Sequence, residues 1–210
     1  DHYAGATVCI PSRGTLMTGY HTGHGTIRGN PTWTVSGNAV DLTPEDLTVA
    51  KELKCAGYAT GIVGKWGLSE SNLDGMPTRQ GFDYFYGYRS HYDAHHHYWP
   101  SLWRNESIVH IDGNDYLNTE GKYVHDLVTE EALGYIEKHR SEPFFLYVAY
   151  ALPHYELTVP QDSKDPYENL GWPIEPRKKA HYRDDEDGNV AYAGMVSRMD
   201  RDVGRILDHL

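Results

Sequence analysis

Cysteine is nearly absent from this chain: Cys9 and Cys55 are the only two among 210 residues. One bridge is possible and a disulfide framework is not. Long apolar runs are missing too. No window approaches the roughly 18 apolar residues of a membrane-crossing helix, so no transmembrane segment is expected. Positive charge is scarce, with 19 Lys and Arg against 30 Asp and Glu and a formal net charge of −11. That balance argues against a general nucleic-acid binder, whose affinity comes from neutralising phosphates. An anionic substrate would have to be met by a local basic pocket working against the global field. The chain begins at Asp1 with neither an initiating methionine nor a charged-then-apolar leader. The true N-terminus is therefore expected upstream, and a signal peptide is beyond test. Internal repeats are missing, and His95-His96-His97 is the one low-complexity tract.

What the chain has in quantity is tyrosine, 17 against 5 Trp and 4 Phe. Such amphipathic aromatics belong to a globular protein, not a disordered one. The length suits one substantial core, in one domain or two small ones. Helix and strand signals alternate. Pro11 opens a helix that Thr18-Gly19 closes. Thr43-Pro44-Glu45-Asp46 reads as a second helix start, with an N-cap threonine, proline at the first helical position and acids in the first turn. Leu47, Ala50 and Leu53 recur at helical spacing towards a stop at Gly57. Tyr58 to Val63 reads as a strand ending at Gly64-Lys65-Trp66-Gly67. A polar region rich in Tyr and His follows, from Ser69 to about Lys122, with turns at Asp74-Gly75 and Asp112-Gly113-Asn114. A helix over 126–138 carries Val128, Ala132 and Ile136 on one stripe. It leads into Phe144 to Tyr150, an apolar run of the kind buried on both faces. A proline-rich excursion from Pro153 to Asp187 precedes a last helix with Met195, Met199, Val203, Ile206 and Leu210 on its stripe. Helix followed by buried strand, twice, implies parallel pairing and an α/β layered domain. Sites of such sheets lie beyond the carboxyl ends of strands. Lys65 and His154 both follow a strand end and are expected to face one crevice.

The segment Cys9-Ile10-Pro11-Ser12-Arg13-Gly14-Thr15-Leu16-Met17-Thr18-Gly19 carries the most chemistry. It sets the residue at position 9 beside the unsatisfied amides and positive dipole end of a helix, which favour an anion. Arg13, about one turn further, adds a planar fork suited to a tetrahedral oxyanion. Taken alone, such a cysteine is more often a small buried hydrophobe or half of a disulfide. A thiolate phosphatase also sets a cysteine at a helix start beside an arginine, but with the spacing Cys-x5-Arg, whereas this chain has Cys-x3-Arg with a proline inside. The segment resembles the signature of the type I sulfatases, in which the cysteine is oxidised to the nucleophile formylglycine. Gly57-Tyr58-Ala59-Thr60-Gly61-Ile62-Val63-Gly64-Lys65-Trp66 resembles the family's second signature. Phe144-Phe145-Leu146-Tyr147 followed by Pro153-His154 is similar to its strand that ends in a Pro-His pair. The run from Met195 to Leu207 is similar to the helix before its second metal-binding strand. These matches keep the family's order over nearly the whole chain.

The resemblance implies an alkaline-phosphatase-like α/β sandwich, its mostly parallel central sheet flanked by helices and incomplete here. Residues 1–210 would be part of a catalytic domain that hydrolyses sulfate esters of a carbohydrate or an aryl alcohol. It implies that Cys9, as formylglycine made by a formylglycine-generating enzyme or equivalent maturase, is nucleophile and metal ligand. Arg13 would hold the formylglycine and neutralise charge at the metal, Lys65 would contact the sulfate, and His154 would hydrogen-bond or protonate around the sulfate and leaving oxygen. Fixed cations suit this reaction because negative charge develops on the ester oxygens. The implied metal is one divalent cation, most simply calcium, which takes six or more oxygen ligands. The family's Asp-Asp and Asp-Asn pairs are expected before Asp1 and after Leu210, and Asp184-Asp185 is not promoted to that role. The implied location is periplasmic or secreted. One departure stands out: the family commonly has histidine two residues after the signature lysine, and this chain has Gly67. His95 or His96, in a loop that resembles bacterial sulfatases with the same glycine, is expected to substitute at the sulfate site. That loop could instead shape the substrate rim or hold a transition metal, and Trp66 is expected to pack. Tyr92, Tyr98, Trp99 and Trp103 are candidates for a sugar-stacking rim. The readings that compete are a phosphonate monoester or phosphodiester hydrolase of the same superfamily and a non-catalytic binder of sulfated glycans.

Overall fold

A computed structural model describes residues 1, 3–30, 41–115, 117–174, 182–183 and 187–210; Asp184 and Asp185 lie outside them. Helix α1 (Cys9–Thr18) and α2 (Val49–Cys55) precede β1 (Ala59–Lys65) and β2 (Tyr84–Tyr88). The hairpin β3 (Ser101–Arg104) and β4 (Ser107–His110) follows, then α3 (Val124–His139), β5 (Phe144–Ala149), the single-turn α4 (Gln161–Lys164) and α5 (Gly188–His209). The five strands form one sheet in the order β4-β3-β2-β1-β5. β1 is parallel to β2 and β5, in register Lys65 to Tyr88 and Gly64 to Ala149. β3 and β4 are antiparallel additions. The sheet is therefore mixed, an α/β sandwich with a parallel centre. Side chains alternate along β1. Ile62 joins Ile10, Met17, Trp66 and Phe85 on one face, and Val63 joins Tyr86, Val128 and Ala132 on the other.

Local chemistry moved several boundaries from their expected places. The Thr43 turn is not a helix start. Asp46 accepts from the Thr43 amide (2.7 Å), while the Lys51 ammonium caps the carbonyls of Pro44 and Asp46. The helix begins later because Thr48 caps it, accepting from the Lys51 amide (3.2 Å) and donating to the Gln80 carbonyl (2.6 Å). Strands β2, β3 and β4 occupy the region read as polar. Strand β5 is only half-buried along Phe144 to Val148, because in this sheet it has β1 on one side alone. On α5 the buried set is Gly188, Ala191, Gly194, Met195, Arg198 and Asp202, whereas Val203 and Leu210 are exposed. Met199 and Ile206 of the expected stripe still pack against the core, and ion pairs to α3, Arg198 with Asp126 (2.6 Å) and His125 with Asp202 (3.0 Å), share the buried side of the helix.

Candidate active site

Helix α1 starts at Cys9, two residues ahead of Pro11, with Val8 as a cap whose side chain makes no hydrogen bond. The first-turn amide of Ile10 donates instead to Asn30 Oδ1 (3.1 Å), and Asn30 Nδ2 lies 3.5 Å from Cys9 Sγ. Asn30 is a capping residue at long range, which nothing in the local pattern signals. Arg13, about one turn along, donates through Nη1 to the Lys65 carbonyl (2.6 Å), with the Tyr147 hydroxyl 3.4 Å from the same nitrogen. Lys65 is the last residue of β1 and is 2% exposed. Burial pulls its ammonium down to about 8. The adjacent Cys9 sulfur opposes that shift, the Arg13 charge adds to it, and Glu70 opposes it. Three of the four expected catalytic residues thus meet where the carboxyl end of β1 abuts the start of α1. A buried, still charged lysine and a fixed guanidinium beside an anion-favouring helix end suit an oxyanion.

His154 follows β5, the parallel neighbour of β1, and so lies at the same end of the sheet. His95 stacks on it, with centroids 4.3 Å apart and planes 12° from parallel. Tyr182 lies against both, its hydroxyl 3.5 Å from His95 Nδ1 and its ring 5.7 Å from that of His154. Burial raises the Tyr182 phenol, and the Cys9 sulfur is the next cause, which ties this aromatic group to the Cys9 pocket. His91 is a further histidine here, edge-on to His95 at 5.6 Å. Glu70 accepts from the His91 amide (2.5 Å) and lies 2.8 Å from its Nδ1. Burial raises the Glu70 carboxyl, but these hydrogen bonds outweigh it and hold the group below the usual carboxylate range. Glu70, His91 and Tyr182 carry no motif. The parallel pairing of β1 with β2 brings 65–70 beside 88–91.

The histidine triplet is divided. His95 faces His154, whereas His96 is buried with Nδ1 2.7 Å from the buried Glu156 Oε2. His97 is buried and drawn down to about 4, chiefly by desolvation. The three side chains therefore do not converge on a metal ion, and of the two candidates for the sulfate site His95 is the one beside His154. Trp66 packs as expected, edge-on to Phe82, with its indole N–H on the Gly75 carbonyl (2.8 Å). Of the expected rim, Tyr98 is buried against Tyr123, Trp99 stacks on His96 and Trp103 lies under Arg89. Tyr98 is therefore core, not rim.

Among the described residues, one group of acidic and imidazole atoms converges closely enough for a metal: His125, Asp126 and Asp202. It does not fit calcium. Asp202 already accepts from Arg201 (2.9 Å) and Arg205 (3.2 Å) besides His125, and Arg198 forks onto both oxygens of Asp126 (2.7 and 2.6 Å). Guanidinium groups fill the positions that a hard cation and its oxygen shell would need. No helix among the described residues is long and apolar enough to cross a membrane.

The family model for sulfatases matches residues 1–210. An arylsulfatase of Hemicentrotus pulcherrimus is 36% identical over 183 residues, covering 76% of this chain and 31% of that protein. An ulvan-active sulfatase of Formosa agariphila is 29% identical over 213 residues, covering 97% of this chain and 38% of that protein. The crystal structure of Ps i-CgsB in complex with k-i-k-neocarrahexaose superposes with a TM-score of 0.72 at 26% identity, over 99% of this chain and 45% of that one. The chain thus spans about a third of the length of these curated relatives and under half of that solved chain. Its open mixed sheet flanked by helices superposes on that solved chain. With a family match from its first residue to its last, this chain belongs to the sulfatases, a family that uses a divalent metal.

Proposed function

We propose that the protein containing this chain hydrolyses sulfate esters through Cys9, oxidised to formylglycine. The observation that carries this reading is the meeting of Cys9, Arg13 and Lys65 at one helix start. In it, the aldehyde made from Cys9 supplies, when hydrated, the attacking oxygen. Arg13 fixes the end of β1 against α1 and holds a permanent positive charge there. Lys65 binds the sulfate oxygens, and its lowered proton affinity lets it give up or regain a proton near neutrality. His154, braced by His95, hydrogen-bonds the leaving oxygen. The 210 residues are read as part of a larger catalytic domain, and the carboxylates of a calcium site are assigned to the remainder of that domain. An ulvan-active relative and a neighbour solved with k-i-k-neocarrahexaose favour a sulfated carbohydrate, with aryl sulfates as surrogate substrates. Maturation needs a formylglycine-generating enzyme, and the implied location is the periplasm or the exterior.

The test is turnover of an aryl sulfate beside the matching aryl phosphodiester, using full-length protein made in a host that has the maturase. Mass spectrometry of the Cys9 peptide accompanies it. Faster sulfate turnover with modified Cys9 supports the reading. Preference for the phosphodiester, or full activity with an unmodified thiol, overturns it.

A further inference from the structure

Gly67 lies two residues past the buried Lys65 with φ +73°, a conformation that side chains rarely adopt. A Cβ placed there would stand 3.4 Å from His91 Cβ and 3.8 Å from Lys65 Cε. The space at Gly67 is thus bordered by the Lys65 stem and by the Cα and Cβ of His91, a residue just past the end of β2. The His91 imidazole is held on two sides. Its backbone N–H and its Nδ1 both address one Glu70 oxygen (2.5 and 2.8 Å), and both side chains are 15% exposed. Glu70 is itself anchored, since its amide and that of Ser71 donate to Asp41, which lies 2.9 Å from the Ser71 nitrogen. Arg89, from the same β2 end, donates to the Ser69 carbonyl (2.7 Å) and ties the two segments together. The opposite ring edge, carrying Nε2, makes no hydrogen bond among the described residues. The ring sits edge-on to His95, which stacks on His154.

A carboxylate that fixes Nδ1–H leaves Nε2 as the working nitrogen, the logic by which an acid orients an imidazole for proton transfer. We infer that Glu70 and His91 form a carboxylate–imidazole pair of the catalytic pocket. In this pair His91 Nε2 is a proton-transferring group on the Lys65 side, and Glu70 is the positioning residue that sets its tautomer. The inference rests on the sulfate-ester reading, and it assigns to a loop after β2 a function that Gly67 cannot perform.

The experiment compares His91→Ala, His91→Gln, Glu70→Gln and Lys65→Ala with the parent in the full-length matured enzyme. It measures kcat and KM on an aryl sulfate, with and without added imidazole, and records urea unfolding midpoints. A proton-transferring imidazole is worth about 100-fold or more in rate. His91→Ala and His91→Gln are expected to lose about that much in kcat with KM within about threefold. Free imidazole should restore part of the loss in His91→Ala. Glu70→Gln should lose about tenfold, because the imidazole remains while its orientation is weakened. Two results overturn the inference while leaving the function intact. One is His91→Ala within threefold of the parent while Lys65→Ala is inactive. The other is a loss that imidazole does not restore and that tracks a lowered unfolding midpoint. A parent without sulfate turnover overturns the function and the inference together.

Discussion

Replacing Lys65 by methionine should make the protein more stable and nearly inactive. The side chain is 2% exposed and its ammonium is held at about 8 against an ordinary 10.5, chiefly by desolvation. Each tenfold change in proton affinity corresponds to about 1.4 kcal/mol, so keeping the charge at pH 7 costs the folded state about 3 kcal/mol. Methionine keeps the length and apolar stem of the lysine and removes that cost. The expected gain at pH 7 is therefore between about 1 and 3 kcal/mol, read from urea unfolding of parent and variant. The pH dependence carries a sign that can be checked. Between about 8 and 10.5 the unfolded chain holds a proton on this lysine that the folded chain has released. The parent therefore gains stability from this group as pH rises through that window. The advantage of Lys65→Met should shrink across the same window and vanish near its top. Aryl sulfate turnover by the variant should fall by about 100-fold or more, since a fixed cation at the developing charge is lost. A destabilised Lys65→Met, or one that keeps parental kcat/KM, would refute the assignment of a buried ammonium to the sulfate pocket.

The neighbouring histidines should separate by phenotype. His95→Ala is expected to lower kcat by about tenfold or more with an unfolding midpoint near the parent's. His96→Ala should cost about 3 kcal/mol in urea unfolding, because the fully buried Glu156 loses its 2.7 Å partner and a buried charge is left poorly paired. Asp202→Asn should destabilise by about 2 kcal/mol at pH 7, since hydrogen bonds to a charged acceptor are worth about that much. Burial pushes the Asp202 carboxyl up, but Arg201 and Arg205 outweigh it and hold it low. That contribution is lost as pH falls below about 4, so parent and Asp202→Asn should converge in acid unfolding. Gly67→Ala should cost about 1–2 kcal/mol for its left-handed backbone, as urea melts would record.

The motif residues were legible because their chemistry is local. Cys9, Arg13 and Gly19 fall within eleven residues, and the helix they specify starts only two residues ahead of Pro11. Strand signals alone put Lys65 and His154 at one sheet end, and β1 and β5 are parallel neighbours. Strand β2 and the hairpin at the sheet's edge were not legible. Tyr84 to Tyr88 alternates no polarity, and the short β3 and β4 sit in a region rich in turn formers, so neither period nor length betrays them. The helix start at Thr43 carried every expected residue type, yet Lys51 and Thr48 redirected the backbone groups that define it. Asn30, Glu70, His91 and Tyr182 escaped for a different reason. Each enters the pocket through tertiary contact, and a single sequence without periodicity at those positions contains no record of it. Their signal was topological: two parallel strands end in register, so the residues just past both ends face each other.

The Arg13 bridge has a consequence for the order in which the pocket forms. Its partners lie 52 and 134 residues away along the chain. Closing the longer loop costs roughly 0.8 kcal/mol more chain entropy than the shorter one. The guanidinium therefore reaches Lys65 once β1 is laid against α1, and reaches Tyr147 only when β5 docks. Contacts of such separation are slow to form and are paid for before they reward the chain. A nascent polypeptide that has not yet delivered β5 holds position 9 on a helix that is not yet cross-braced to the sheet. The surroundings of position 9 are thus a late product of folding, and they stay unfinished until β5 arrives.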